Sequence, residues 1–315
     1  MSIYEELSRH ALSGPVVLTI GVFDGVHLGH QHLIQQTTSE AHRRGYQSAV
    51  VTFITHPRDV LHRESGIQYI TNLEERQCLL KRQGVDYVVP ITFSLELSRY
   101  SARKFVSLLC DLLHMKGMVV GPDFALGHGR QGTVTVLREM GEEMGFFIEA
   151  VDFVLQSDST ISSTAIRRAL ADGNVDEANT LLGRPFRLTG TVERGYGRGQ
   201  QLGVPTANIG IPANILIPGD GVYATWSWLN GNWYPSATSI GIRPTFGECS
   251  RTVETYMIDF KGEIYGWPLR LEFVRRLRDE LSFPSVKDLV AQMHRDVDEV
   301  RSILKTVPHG DGWLD

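Results

Sequence analysis

Two histidines three residues apart, His27 and His30, stand in the segment Gly21-Val-Phe23-Asp24-Gly25-Val-His27-Leu-Gly29-His30, directly after the apolar run Val16 to Val22. Residues at that spacing share a helix face, so both rings can address one ligand. A helix N-terminus adds amide donors and partial positive charge, which suit a phosphate. Gly25 and Gly29 let the backbone come close to such a ligand. Two imidazole donors there would stabilise charge developing on a phosphoryl group. The same pair also serves as an ordinary helix cap. No further Cys or His stands at zinc-ligand spacing.

A second set lies in the other half of the chain. Gly195, Gly197, Gly199 and Gly203 form a close-approach loop with Arg198 available to phosphate, and the loop runs into Pro205-Thr206-Ala-Asn208. Thr206 and Asn208 are two apart, so on an extended segment they point the same way. A hydroxyl and an amide oxygen together suit Mg²⁺, a hard cation that takes oxygen ligands alongside substrate phosphates. Downstream comes Glu254 in Thr252-Val-Glu-Thr-Tyr256. On an alternating strand it turns toward such a site only if Val253 takes the other face. No GxxxxGK[ST] is present, so a P-loop kinase is unsupported. Between the two sets, Ser162, Ser163 and Thr164 precede Arg167. That pattern is a second helix start with hydroxyls and a forked cation for an anion.

The elements that must position these residues fall into two styles. Up to Leu182, strands and helices alternate. Strands are expected at Val16–Val22, Ser48–Phe53, Asp86–Ile91 and Met118–Gly121. Helices are expected from Leu28 to Gly45, from a Thr71/Glu74 capping box to Gly84, over Ser101–Met115, from Ser162 or Ser163 to Asp172, and over Val175–Leu182. This order predicts a parallel sheet with helices on both faces. After Gly183-Arg184-Pro185 come short strands: Arg187–Val192, Val222–Leu229, Trp233–Ile240, Thr252–Phe260 and Leu269–Val274. Asn230-Gly231 marks a type I′ hairpin, and the set predicts a small closed barrel. A last helix starts near Ser285 and carries the apolar stripe Leu289, Met293, Val297, Val300 and Leu304. The tail from Pro308 is expected to be disordered.

Composition narrows the class. At 315 residues two domains are the default. A net charge of −5 without a basic run argues against a dedicated nucleic-acid binder. Cys78, Cys110 and Cys249 are far apart and form no CxxC, which fits a reducing cytoplasm. The start lacks a signal-peptide pattern, and no apolar run reaches the roughly 20 residues of a membrane span.

The HxGH and SSTxxR patterns resemble those of the nucleotidyltransferase superfamily, which bracket ATP phosphates. With Thr52-Phe53-Ile-Thr-His56-Pro57 and Val120-Gly121-Pro-Asp123-Phe124-Ala-Leu-Gly127, they look like the adenylyltransferase half of the prokaryotic bifunctional riboflavin kinase/FAD synthetase family, from about Leu18 to Leu182. GRGQQLGVPTANI at 197–209, Gly221-Val-Tyr-Ala, Ser239-Ile-Gly-Ile-Arg-Pro244-Thr245-Phe and VETYMIDFKGEIYG at 253–266 resemble that family's riboflavin kinase module, from Gly183 to about Asp296.

The resemblance implies a Rossmann-like nucleotidyltransferase domain over 1–182, a six-stranded kinase barrel with a terminal helix over 183–307, and a tail over 308–315. It implies phosphorylation of riboflavin to FMN in the barrel and adenylylation of FMN to FAD, with release of pyrophosphate, in the first domain. His27 and His30 would stabilise the adenylyl-transfer transition state. Gly21, Phe23, Asp24, Gly25 and Gly29 would lie at the ATP phosphates, with Ser163, Thr164 and Arg167 holding the β and γ groups. Asp123 and Phe124 would meet the flavin. In the barrel, Gly195, Gly197, Arg198, Gly199 and Gly203 would cover phosphates, Thr206 and Asn208 would hold Mg²⁺·ATP, and Glu254 would be the general base. Riboflavin, FMN and ATP are the implied partners, with no nucleic acid and no membrane. The chain departs from the family at Ala125 and Leu126, where an arginine and an aromatic are usual, and Arg130 lies nearby. The alternatives are a kinase with a degenerate first half and a non-catalytic flavin- or nucleotide-binding regulator.

Overall fold

The computed structural model describes residues 2–10, 12–62, 66–152, 154–156, 159–195, 204–245 and 248–310, with backbone alone at 155, 156, 159, 243–245 and 248–250. Two compact units result, Met1–Ser162 and Ser163–Asp315. The first contains, in chain order, α1 (Ile3–Ser8), β1 (Val16–Gly21), α2 (Leu28–Arg44), β2 (Gln47–Phe53), α3 (Pro57–Leu61), α4 (Leu73–Arg82), β3 (Tyr87–Ile91), α5 (Ala102–Leu113), β4 (Met115–Val120), the ribbon β5 (Ala125–Leu126) and β6 (Gly132–Thr133), α6 (Val134–Met144), β7 (Phe147–Ala150), and the ribbon β8 (Leu155–Gln156) and β9 (Ser159–Thr160). The sheet is parallel throughout, in the order β3-β2-β1-β4-β7. Alternate residues of β1 feed opposite faces. Val17 packs with Val119 and with Ala41 of α2. Leu18 and Ile20 pack with Phe105 and Leu109 of α5 and Leu137 of α6.

Three local expectations change. The helix drawn to Met115 stops at Leu113, because His114 turns left-handed (φ 51°, ψ 37°) and Met115 is drawn into β4. The cap of α4 is Asn72, whose side chain accepts from Glu75 N at 2.8 Å. Thr71 is diverted: its hydroxyl accepts from Gly25 N at 3.1 Å and donates to Asp24 Oδ1 at 3.3 Å. The segment Val134–Ala150, unread in the sequence, supplies α6 and the sheet-edge strand β7.

Parallel strands end in carbonyls that a loop must satisfy. Arg76 of α4 does this at the carboxyl ends of β1 and β2. Its Nη1 donates to Val22 O at 2.7 Å and Phe53 O at 2.9 Å, and its Nη2 donates to Ile54 O at 3.3 Å. The side chain is 1% exposed. Burial lowers its pKa from the usual arginine value, and the Asp24 carboxylate opposes that shift.

The second unit opens with the helix pair α7 (Ser163–Ala171) and α8 (Val175–Leu182), so packing groups these two helices with the strands beyond Gly183. Those strands are β10 (Phe186–Glu193), β11 (Ala207–Gly210), β12 (Gly221–Leu229), β13 (Asn232–Thr245), β14 (Glu248–Met257) and β15 (Pro268–Arg278), and the helix α9 (Val286–Leu304) comes last. The strands close an antiparallel barrel in the order β10-β11-β14-β13-β12-β15. Asn230 and Gly231 both have positive φ (47° and 81°), as the expected hairpin requires. Asn179 of α8 ties two strands, donating to Phe273 O at 2.9 Å and accepting from Phe186 N at 2.7 Å.

Inside the barrel, Leu188, Tyr223, Val253, Leu269, Leu271 and Phe273 are buried around a chain of hydroxyls. Thr238 bonds both Thr225 (2.7 Å) and Thr255 (2.9 Å). Ser285 caps α9, accepting from Asp288 N at 3.2 Å. The tail departs from expectation: Pro308–Gly310 lies on the barrel, with His309 stacked on Trp233 and Gly310 N bonded to Glu272. Residues 311–315 lie outside the described residues.

Replacing Arg76 with Leu removes three hydrogen bonds to part-buried carbonyls, of which Val22 O keeps the Thr52 hydroxyl as a donor. The expected cost is ~3–5 kcal/mol. Calorimetry should then show thermal unfolding of the first unit roughly 10 °C lower.

Candidate active sites

In the first unit the chain turns away on opposite sides of β1 and β4. The crevice at their carboxyl ends is where open α/β sheets bind ligands. The loop after β1 carries the histidines, and the loop after β4 carries Gly121 to Phe124. Phe23 and Val26, both buried, have φ of 55° and 40°. Such backbone persists only where its surroundings hold it. Asp24 supplies that hold: its carboxylate accepts from Ile70 N (3.0 and 3.1 Å) and Thr71 N (3.1 Å). Gly25, with φ 81°, rests against Ile70.

His27 is itself the cap of α2, accepting from His30 N through Nδ1 at 3.3 Å. That bond leaves the neutral ring's proton on Nε2. The two imidazoles stack at 3.6 Å and 19°, and Phe23 meets His30 edge-on at 5.1 Å. A β-carbon at 29 would stand 3.2 Å from the His27 ring and 3.5 Å from Ile161 O. Gly29 therefore admits the ring against the helix, and the segment leading into α7 passes beside it. One at 21 would stand 3.2 Å from the Phe23 ring.

Phe124 packs on the core of this unit, Asp123 is exposed, and Arg130 Nη2 donates to Asp123 O at 2.9 Å. Ala125 and Leu126 pair with Thr133 and Gly132 in the ribbon. Ser163, Thr164 and Arg167 open α7, in the second unit.

The barrel site lies on the outer wall. Val253 is buried inside, so Glu254 takes the opposite face, where it lines a cavity. Strand register places Arg278, Val222, Ser239, Glu254 and Asn208 side by side across β15, β12, β13, β14 and β11. Thr206 Oγ1 donates to Glu254 Oε2 at 3.3 Å. A β-carbon at 195 would overlap the Asn208 amide, so this glycine makes room for it. Gly197, Arg198, Gly199 and Gly203 lie outside the described residues.

Thr206 and Glu254 open on a cavity of about 540 Å³, within the small-molecule range. Its other walls include Val222, Ala237, Leu281, Phe283, Leu289 and Met293. At the far end Arg278 grips Asp296 of α9 through Nε (3.0 Å) and Nη2 (2.7 Å), and its Nη1 donates to Asp279 O at 2.9 Å. Gln292 Nε2 adds a bond to Asp296 at 2.8 Å. Ser239, Arg278 and Asp296 were not read as site residues in the sequence. The available signal was Asp296, a carboxylate interrupting the apolar stripe between Met293 and Val297.

A histidine-lined helix start on a parallel sheet and a carboxylate beside hard oxygen donors on a barrel define a two-module enzyme of phosphate transfer. Residues 10–165 match the FAD synthetase family and residues 182–304 the riboflavin kinase family. The bifunctional riboflavin kinase/FMN adenylyltransferase of Listeria monocytogenes is 38% identical, over 91% of both chains. That of Escherichia coli K12 is 36% identical, over 89% of this chain and 90% of its own. The chain belongs to the bifunctional riboflavin kinase/FMN adenylyltransferase family. A Streptococcus pneumoniae crystal structure, titled a macrolide-efflux protein, superposes with a TM-score of 0.87 at 31% identity, covering 93% of this chain and 96% of its own. Among the described residues no helix is long and apolar enough to cross a membrane.

Gly195→Ala should push Asn208 aside. FMN formation from riboflavin should fall at least tenfold, as a 1 Å misplacement can cost ~10². FAD formation from supplied FMN should stay unchanged in the same preparation.

Proposed function

We infer that residues 183–307 phosphorylate riboflavin to FMN and residues 1–182 adenylylate FMN to FAD. The observation that carries the kinase half is Glu254, held in register between Ser239 and Asn208, bonded to Thr206 and opening on the cavity. The row from Arg278 to Glu254 spans three strand spacings, or ~14 Å. An elongated flavin fits along it, with its ring among Phe283, Leu289 and Met293 and its 5′-hydroxyl at Glu254. Glu254 takes the proton of that hydroxyl as the oxygen attacks the γ-phosphorus of ATP, and ADP leaves.

Thr206 Oγ1 and the Asn208 side-chain oxygen are hard donors on one face, which fits Mg²⁺. They would hold the ion with the ATP phosphates, and it would neutralise charge at the transferring group. Among the described residues no cluster of three or more His, Cys, Asp or Glu could hold a metal.

In the first half, an FMN phosphate oxygen attacks the α-phosphorus of ATP and pyrophosphate leaves. His27 and His30 donate to the charge that builds on the α-phosphoryl oxygens. Asp24 acts by positioning, since its carboxylate holds the loop from Phe23 to Val26. Ser163, Thr164 and Arg167 bind the leaving phosphates, and Asp123 with Phe124 faces the flavin. The work is cytoplasmic.

One time course with riboflavin, ATP and Mg²⁺, resolved by flavin chromatography, should show FMN rising and then passing to FAD. Glu254→Gln should cut FMN formation by ~10²–10⁴ and spare FAD formation from supplied FMN. His30→Ala should do the reverse, slowing FAD formation by ~10²–10³. Loss of both activities in either folded variant would refute the division.

A further inference from the structure

The tail beyond α9 closes on the barrel at the end of the helix remote from the cavity. Trp226 Nε1 donates to Val307 O at 3.1 Å. The His309 ring stacks on Trp233 (5.1 Å, 14°) and meets Trp226 edge-on (5.3 Å, 86°). Gly310 N donates to Glu272 Oε2 at 2.9 Å, and Glu272 is paired with Arg187 in a buried ion pair. A β-carbon at 310 would lie 2.8 Å from Glu272 Oε1 and 3.0 Å from Arg187 Nη2. Both side chains are locked by their pairing, so the seat takes glycine.

Strand β12 connects this clasp to the cavity along one face. Val222 lines the cavity, Ala224 lies under Val300 and Leu304 of α9, and Trp226 holds the tail. Four residues along a strand are ~14 Å. Over that distance the helix buries little: Asp296, Val300 and Leu304 alone reach full burial. Val297 and Ile303 pack beside this stripe only partly buried, so bonds at the two ends add to what seats the helix. Arg278 ties the cavity end through Asp296.

We propose that Trp226, His309 and Gly310 are positioning residues for riboflavin phosphorylation: they fix the far end of α9 and thereby the wall that Leu289 and Met293 give the cavity. This rests on the kinase reading above.

The test uses the full chain with His309→Ala, Gly310→Val and Trp226→Phe, which keeps an aromatic ring and removes the indole donor. FMN formation is measured against riboflavin concentration, FAD formation against FMN, and melting by calorimetry. The riboflavin KM should rise ~3- to 10-fold, the scale of one lost hydrogen bond, with kcat and FAD formation within twofold of the parent. A KM unchanged in all three variants overturns the proposal, whatever happens to the melting temperature. So does a parallel loss of kcat, KM and FAD formation, which marks general destabilisation. If the unmodified chain makes no FMN, the kinase reading itself fails and takes the proposal with it.

Discussion

The first unit depends on satisfying polar groups at the carboxyl ends of its parallel strands. A sheet of this kind offers a ligand crevice only because its strands stop there, and stopping exposes carbonyls inside the protein. Arg76 accepts that burden for β1 and β2, from a helix two elements away. Asp24 and Thr71 complete the arrangement by gripping the backbone on either side of the gap. The left-handed Phe23 and Val26 are tolerable because this grip is in place, and they deliver His27 to its capping position. Histidine geometry here is thus a result of buried charge elsewhere.

The barrel solves a different problem with strand alternation. One face of β13 and β14 puts hydroxyls and Val253 inside, where Thr225, Thr238 and Thr255 satisfy one another. The opposite face carries Ser239 and Glu254 to the cavity. A slip of one residue in register would exchange the two sets and abolish both core and site. The interior hydroxyl chain therefore also specifies the register that places the carboxylate.

The sequence was most readable where local rules and burial agree. The Asn230-Gly231 turn, the Val175–Leu182 helix and the stripe of α9 follow from turn chemistry and periodicity. It was least readable where a side chain serves a distant partner. Thr71 reads as a cap but is taken by Asp24 and Gly25, so the cap moves to Asn72. Strand β7 is short and half-exposed at a sheet edge, with too little alternation to register. The facing of Glu254 needed the barrel, because an alternating strand does not say which face is inside. The tail looked featureless because its partners, two tryptophans and a buried ion pair, lie on strands far away in sequence.

The row from Arg278 to Asn208 has a further meaning. Five neighbouring strands each contribute one residue, so the separation between the ring slot and the carboxylate is set by hydrogen-bonded backbone and not by mobile side chains. On the proposed kinase reading the wall would act as a ruler: a polyol one carbon short would leave its terminal oxygen out of register with Glu254, and selectivity for chain length would then rest on β-sheet spacing.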